Sequence, residues 1–437
     1  MRSGTLARTA AALALTAALM QACTPMSSLT AYPASVPEWG LVHASGGVYQ
    51  DRALSAYVNR VGLALVEAAG QSPGGWRFLV LDTPDSNAFS LPKGRIYVTR
   101  GMLALANDEA ELATVLAHEI GHAVSGDAER ALSEHDRRAA ELRADRLGMS
   151  YLEAAGYDAR AQVDFLRTLL RNHRLAGERS ATAAGGPDHP ALVDRLAIAS
   201  REAADAPPGR REHAAYLAAI DGLAWGSGPA QGIVRGKTFF HPDLGFAIDA
   251  PPGYVLSNRA DAVMAAGPRG AVFLLDSVPN PGSNPEDYLA HHWVPEIGKG
   301  IIAEPISGLR TTRLNGLLAA QGRLVLRGDH SERVADLTVI RLGDRFYRLT
   351  GLYQAGDKTG EQVLAKASVS FRKLGRTEAS AIEPLHLRVH RIVAGEDVVA
   401  LAEAMPVKAP RRTFDLLNGL TPGTALQVGD EVKLVVR

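Results

Sequence analysis

The chain reads as an α+β protein: a mainly helical domain with a small sheet, then a small α+β domain, then a short final module. Three observations predict this. Apolar residues recur at helical spacing through much of residues 50–224. From about 237 the pattern changes to strand-like runs divided by turns, among them "GAVFLLDSV" and "VADLTVIRLGDRFYRLTGLY". Two breaks separate the parts: the Gly-rich "WGSGPAQGIVRG" (225–236) and the linker "GRTEASAIEP".

The elements follow in order. "MRSGTLARTAAALALTAALMQAC" has Arg2 and Arg8, then a short Ala/Leu-rich core, the pattern of a secretory signal peptide over residues 1–22. That core is too short for a membrane span, and no later segment is long and apolar enough for one. Cys23, the only cysteine, falls where cleavage is expected, so internal disulfides are excluded. "MQAC" resembles a bacterial lipobox, with Met20 where Leu is usual. The resemblance implies a lipid on Cys23. Thr24 after it, rather than Asp, points to the outer membrane. Residues 23–44, with three prolines and several Ser/Thr, read as a tether.

Leu54, Tyr57, Val58, Val61, Leu65 and Val66 mark a first helix. "WRFLVLDTP" and "RIYVT" (95–99) read as strands, the second as an open sheet edge to which an extended peptide adds. "NDEAELATVLAHEIGHAVSGD" reads as a helix, with Asn107 or Asp108 as N-cap and Gly126 as its end. Further helices are expected over about 133–154, 159–174 and in "ALVDRLAIASREAA", with a Gly-rich loop at 176–190 before the last. The second domain, 237–374, adds helices near 285–298 and 359–367. Lys+Arg and Asp+Glu are both 47, so no general attraction to nucleic acid is implied.

The chemistry sits in H-E-x-x-H, residues 118–122. Residues i and i+4 share one helix face, so His118 and His122 offer two imidazoles to one metal. Glu119 projects beside them, within reach of a water on that metal. A zinc hydrolase wants three protein ligands and an open position. A third histidine at the H-E-x-x-H-x-x-G-x-x-H spacing falls on Ala128, which excludes that arrangement. The next helix offers Glu141 and Asp145, again four apart. Glu141 completes a His, His, Glu set, and Asp145 accepts a hydrogen bond from the free nitrogen of a ligand histidine.

With these residues in place, the chain resembles the gluzincin metallopeptidases of family M48. "SNAFSLPKGRIYVTRGML" (86–103), "HEIGH", the "ELRAD" of Glu141–Asp145 and "DHPALVDR" (188–195) follow in family order. The likeness covers about 45–205, within an expected peptidase domain at 45–224. Lys93 departs from the family's Pro-Gly-Gly turn, and the short segment between His122 and Glu141 lacks the hydrophobic insert of membrane-embedded members. The resemblance implies a zinc-dependent endopeptidase with one Zn2+ per chain and Glu119 as base. It also implies that His189 and Arg195 are donors to the oxyanion, and that His189 can alternatively occupy the metal's open position and silence it.

The final module, 385–437, resembles a LysM domain through "VAGEDVVALA", "LLNGL" and "LQVGDEVKL". That implies a βααβ fold and contact with peptidoglycan. Together the resemblances imply a periplasmic, lipid-anchored enzyme of the outer membrane, acting on unfolded or misassembled envelope proteins. The rival reading is a non-catalytic envelope scaffold or chaperone with a latent zinc site, working through its C-terminal domains.

Overall fold

The computed structural model describes residues 45–127, 133–177, 192–258, 262–297, 305–327, 332–421 and 424–437, with Glu38, Gly40 and Val42 ahead of them. The signal segment, Cys23, most of the tether and the loop carrying His189 lie outside the described residues. Helix and sheet are mixed throughout. The described residues fall into two compact units, one of 45–226 with 384–437 and one of 227–383.

In the first unit α1 (Arg52–Ala68) starts at Asp51, whose carboxylate accepts from the Leu54 N–H, and buries Leu54, Val58, Val61 and Leu65. It packs on a sheet of β1 (Arg77–Leu81), β2 (Ala88–Leu91) and β3 (Arg95–Thr99). The strand order is β1-β3-β2, with β1 parallel and β2 antiparallel to β3. The "RIYVT" strand is therefore central, against the expectation of an open edge; β1 and β2 are the edges, and β2 lies against the helix of the H-E-x-x-H motif. Lys93, in the turn between β2 and β3, stands in the left-handed region at φ 69°, where glycine is favoured.

Among the described residues, α1 precedes this sheet and further helices follow it. After α1 come α2 (Arg100–Leu105), α3 (Glu109–Ser125), α4 (Glu134–Ala154), α5 (Arg160–Gly177), α6 (Leu192–Glu202) and α7 (His213–Ile220), then the short strand β4 (Ala224–Trp225). The Asp108 side chain caps α3 by accepting from the Glu111 N–H, and Gly126, at φ 67°, ends it. Two glycines let α3 and α4 meet backbone to backbone. A Cβ on Gly121 would stand 3.1 Å from the Ala144 backbone, and one on Gly148 3.2 Å from the His118 nitrogen. That close approach brings the two motif-bearing faces together.

The second unit holds β5 (Ile233–Arg235), β6 (Thr238–His241), β7 (Phe246–Asp249), β8 (Val255–Asn258), β9 (Ala262–Ala266), β10 (Val272–Pro279), β11 (Ser307–Leu314), β12 (Leu317–Arg327), β13 (Glu332–Leu342), β14 (Arg345–Gln354), α8 (Lys358–Val369) and β15 (Arg372–Lys373). Its main sheet runs β11-β12-β13-β14-β10-β9-β8, all antiparallel. Helical turns at 285–297 place Tyr288, Leu289 and Trp293 in one of its cores.

The last segment runs β16 (Leu385–Arg391), α9 (Val398–Glu403), α10 (Pro410–Leu417) and β17 (Glu431–Val436). It shares the first unit's core: Phe414, Leu417, Val432 and Val435 pack in one cluster with Leu103, Leu112 and Leu116. β16 pairs with β17 on one side and β4 on the other. The buried Lys433 donates to the carbonyls of Ala104 (2.9 Å) and Ala106 (2.6 Å), capping the C-terminal end of α2.

Candidate metal centre

The helix α3 is buried along most of its length, and His118 and Glu119 are buried with it at 9% and 5% exposure. Four-residue spacing puts His118 and His122 on one face, their rings 4.6 Å apart and nearly perpendicular. The two Nε2 atoms converge to 3.1 Å. From α4, the buried Glu141 closes the group: its Oε1 is 3.2 Å from His122 Nε2 and its Oε2 3.4 Å from His118 Nε2. Among the described residues this is the one trio of His, Cys, Asp or Glu that converges so closely.

The outer nitrogens fix the tautomers. His118 Nδ1 lies 3.1 Å from Asp145 Oδ1, and His122 Nδ1 lies 3.1 Å from Asp127 Oδ2. An ionised carboxylate can only accept, so each Nδ1 carries the hydrogen. In the neutral rings both Nε2 lone pairs then face each other and the Glu141 oxygens. Two imidazole nitrogens and a carboxylate that also accepts from Arg195 Nη1 converge on one point, an arrangement that calls for a proton or a cation. Protonation answers in part. Burial pulls the His122 ring down, but its hydrogen bonds to Asp127 and Glu141 push it up to about 10. For His118, burial and the Arg195 charge pull down, and the bonds to Asp145 and Glu141 still raise it.

A cation fits better than a proton shared three ways. Ligands about 2.0–2.1 Å from a tetrahedral zinc stand roughly 3.3 Å from one another. The separations here are 3.1, 3.2 and 3.4 Å. Two neutral imidazoles and one carboxylate, with the imidazoles held by carboxylates behind them, are a donor set zinc accepts.

Arg195 comes from α6 and is 6% exposed. Its Nε and Nη2 each donate to Asp145 at 2.7 Å, and its Nη1 donates to Glu141 Oε2 at 2.8 Å. Its guanidinium thus faces two carboxylates of the metal site. Burial raises the Asp145 carboxyl, but the Arg195 charge and the His118 hydrogen bond hold it well below the usual carboxylate range. The structure thus brings His118, Glu119, His122, Glu141, Asp145 and Arg195 into one site; His189 and Cys23 lie outside the described residues. Asp127 was not anticipated. The signal was faint: an acidic residue just past a helix-ending glycine, which turns the chain back toward His122.

The profile of peptidase family M48 matches residues 52–137. A beta-barrel assembly-enhancing protease of Escherichia coli K12 is 24% identical over 204 residues, 37% of this chain and 41% of that protein. The mitochondrial metalloendopeptidase OMA1 of Arabidopsis thaliana is 31% identical over 115 residues, 20% of this chain and 24% of that protein. The matches span less than half the length of these relatives. Among solved structures, a cyanobacterial PsbP from Synechocystis aligns with a TM-score of 0.26 and 12% identity, over 30% of this chain and 88% of that one. The stretch similar to peptidase family M48 holds His118, Glu119 and His122 of the metal-binding geometry.

Proposed function

We propose that the chain is a zinc-dependent endopeptidase of the bacterial cell envelope, cleaving unfolded or misassembled envelope proteins. The observation that carries the reading is the convergence of His118 Nε2, His122 Nε2 and Glu141, with Glu119 one residue from His118 on the same helix. His118, His122 and Glu141 would hold the zinc, and a zinc ion there supplies Lewis acidity to a water and to a substrate carbonyl. Glu119 accepts the proton of the attacking water and returns it to the leaving amine. Asp145 keeps His118 in the tautomer that presents Nε2, and Arg195 is a positioning residue that holds Asp145 and Glu141 in place. The edge strand β2 is the strand on which an extended substrate adds by backbone pairing, a mode that reads little side-chain identity. His189 acts near the site, either as a donor to the oxyanion or as a latch.

In this reading the chain is anchored through a lipid on Cys23 to the periplasmic face of the outer membrane, and the 385–437 segment contacts peptidoglycan. No helix among the described residues is long and apolar enough to cross a membrane. The names of the relatives, beta-barrel assembly-enhancing protease and mitochondrial metalloendopeptidase, support proteolysis.

The test is cleavage of an unfolded protein such as casein by the mature chain beside Glu119→Gln and His189→Ala. The reading expects about one zinc per chain, cleavage by the wild type, and zinc without cleavage in Glu119→Gln. His189→Ala gains activity if His189 is a latch and loses it if His189 serves the oxyanion. Zinc binding without cleavage in any variant favours the scaffold reading.

A further inference from the structure

His118 and His122 are each backed by a carboxylate, and each carboxylate is gripped by an arginine. Behind His118 stand Asp145 and Arg195, the pairing read from the motif spacing. Behind His122 stand Asp127 and Arg143. Asp127 is 7% exposed; its Oδ2 lies 3.1 Å from His122 Nδ1, and its Oδ1 accepts from Arg143 Nη2 at 2.5 Å. We infer that Asp127 is a positioning residue of the metal centre, fixing the tautomer and ring orientation of His122, with Arg143 holding Asp127 in turn. The inference deepens the proposed zinc site and rests on it.

Three features argue for this role over a plain ion pair between α3 and α4. First, one oxygen of Asp127 would satisfy Arg143 alone, yet the other is spent on the imidazole. Second, Asp127 follows Gly126, whose left-handed conformation turns the chain so that a residue five positions on, beyond the helix, faces the ring. Within α3 no residue five positions after His122 could do so, because the 3.6-residue period would carry it round the helix. Third, the two supports differ in depth. The Arg195 side chain is 7% exposed and donates to both Asp145 and Glu141, whereas the Arg143 side chain is 43% exposed and donates to Asp127. The His118 arm is therefore locked within the core. The carboxylate behind the His122 Nδ1 is instead held by a side chain that is partly in solvent.

A carboxylate that takes the free N–H of a ligand histidine fixes the ring and raises its basicity, and its loss typically weakens metal binding about 10–100-fold. The experiment compares wild type with Asp127→Ala, Asp127→Asn and Arg143→Gln. It reads zinc affinity by chelator competition, the visible absorption of the cobalt(II)-substituted chain, and the melting of the metal-free chain. Asp127→Ala is expected to lose about 10–100-fold in zinc affinity, and its cobalt spectrum to shift. Asp127→Asn, which keeps an acceptor oxygen without the charge, should fall between Asp127→Ala and wild type. Arg143→Gln, acting only through Asp127, should lose less than Asp127→Ala. Wild-type affinity and an unchanged cobalt spectrum in Asp127→Ala would overturn the inference while leaving the zinc site intact, whatever happens to the melting temperature. A folded wild type that takes up no zinc would instead overturn the zinc site itself, and this role with it.

Discussion

Buried charge gathers at both ends of α3, and the two gatherings differ in kind. At the start, Asp108, Glu109 and Glu111 are all buried. Each faces donors: Arg211 on Asp108 at 2.6 Å, Arg60 and the Tyr157 hydroxyl on Glu109, and the Asn107 backbone N–H on Glu111 at 2.9 Å. Lys433 comes in from the C-terminal strand and donates to two carbonyls. Burial moves Lys433 down and Glu111 up, each toward its neutral form. At the other end the Nε2 atoms of His118 and His122 and the Glu141 carboxylate converge on one point, while Arg195 also donates to Glu141. Density of buried charge therefore does not distinguish a functional centre from a structural seam; the direction of the lone pairs does.

The largest expected effect lies at the second end. Glu119→Gln should lower cleavage about 10²–10⁴-fold, the usual contribution of a general base, while zinc content and melting stay close to wild type. A parallel loss of zinc would place Glu119 among the ligands and blur the contrast between carrying and using the metal.

Next comes the seam. Lys433→Met removes the donor to the Ala104 and Ala106 carbonyls and one of the two cations acting on Glu111, leaving Arg211 at 3.5 Å. Urea unfolding should show a loss of about 2–4 kcal/mol, by the cost of stranding buried polar groups. Zinc stoichiometry should be unchanged. Equal stability in Lys433→Met would break the assignment of this cluster to structure.

Gly148→Ala tests the scaffold between the two. A methyl 3.2 Å from the His118 backbone nitrogen must push α4 from α3, costing about 1–3 kcal/mol by overpacking. Because it displaces Glu141 from the imidazoles, zinc affinity should fall as well, measured on the same preparation. Unfolding that weakens with zinc affinity unchanged would mean that the two faces move together.

The smallest effect is a slope. The metal-free His122 ring keeps its proton below about 10, and zinc takes only the neutral ring. His118 is raised as well, so binding must release protons from the rings, and affinity should rise with pH by at least about tenfold per unit. Chelator competition between pH 6 and pH 9 measures it. A flat profile over that interval would show that the rings are already neutral without metal.

The sequence disclosed this site unevenly. His118, Glu119, His122, Glu141 and Asp145 were legible because each pair lies within one helix, where a spacing of four is a statement about geometry. Arg195 was picked out, but its direction was not, since that depends on how α6 crosses α4. Asp127 needed the left-handed turn at Gly126 to reach His122. The strand order was hidden for a related reason. "RIYVT" has the pattern of any short strand, and nothing local says that β1 pairs along one side of it and β2 along the other. The docking of the last segment was further still from view. Lys433 bonds a carbonyl 329 positions away in the chain, and an isolated lysine within "EVKLVV" gives no sign of its partner.

The most direct measurement is X-ray absorption at the zinc edge on the purified, metal-loaded chain, beside His122→Ala. The account predicts one zinc with two imidazole nitrogens and oxygen ligands at about 2.0–2.2 Å, and one imidazole fewer or no bound zinc in the variant. A folded wild type that binds no zinc, or zinc whose surroundings are the same in both chains, would contradict it.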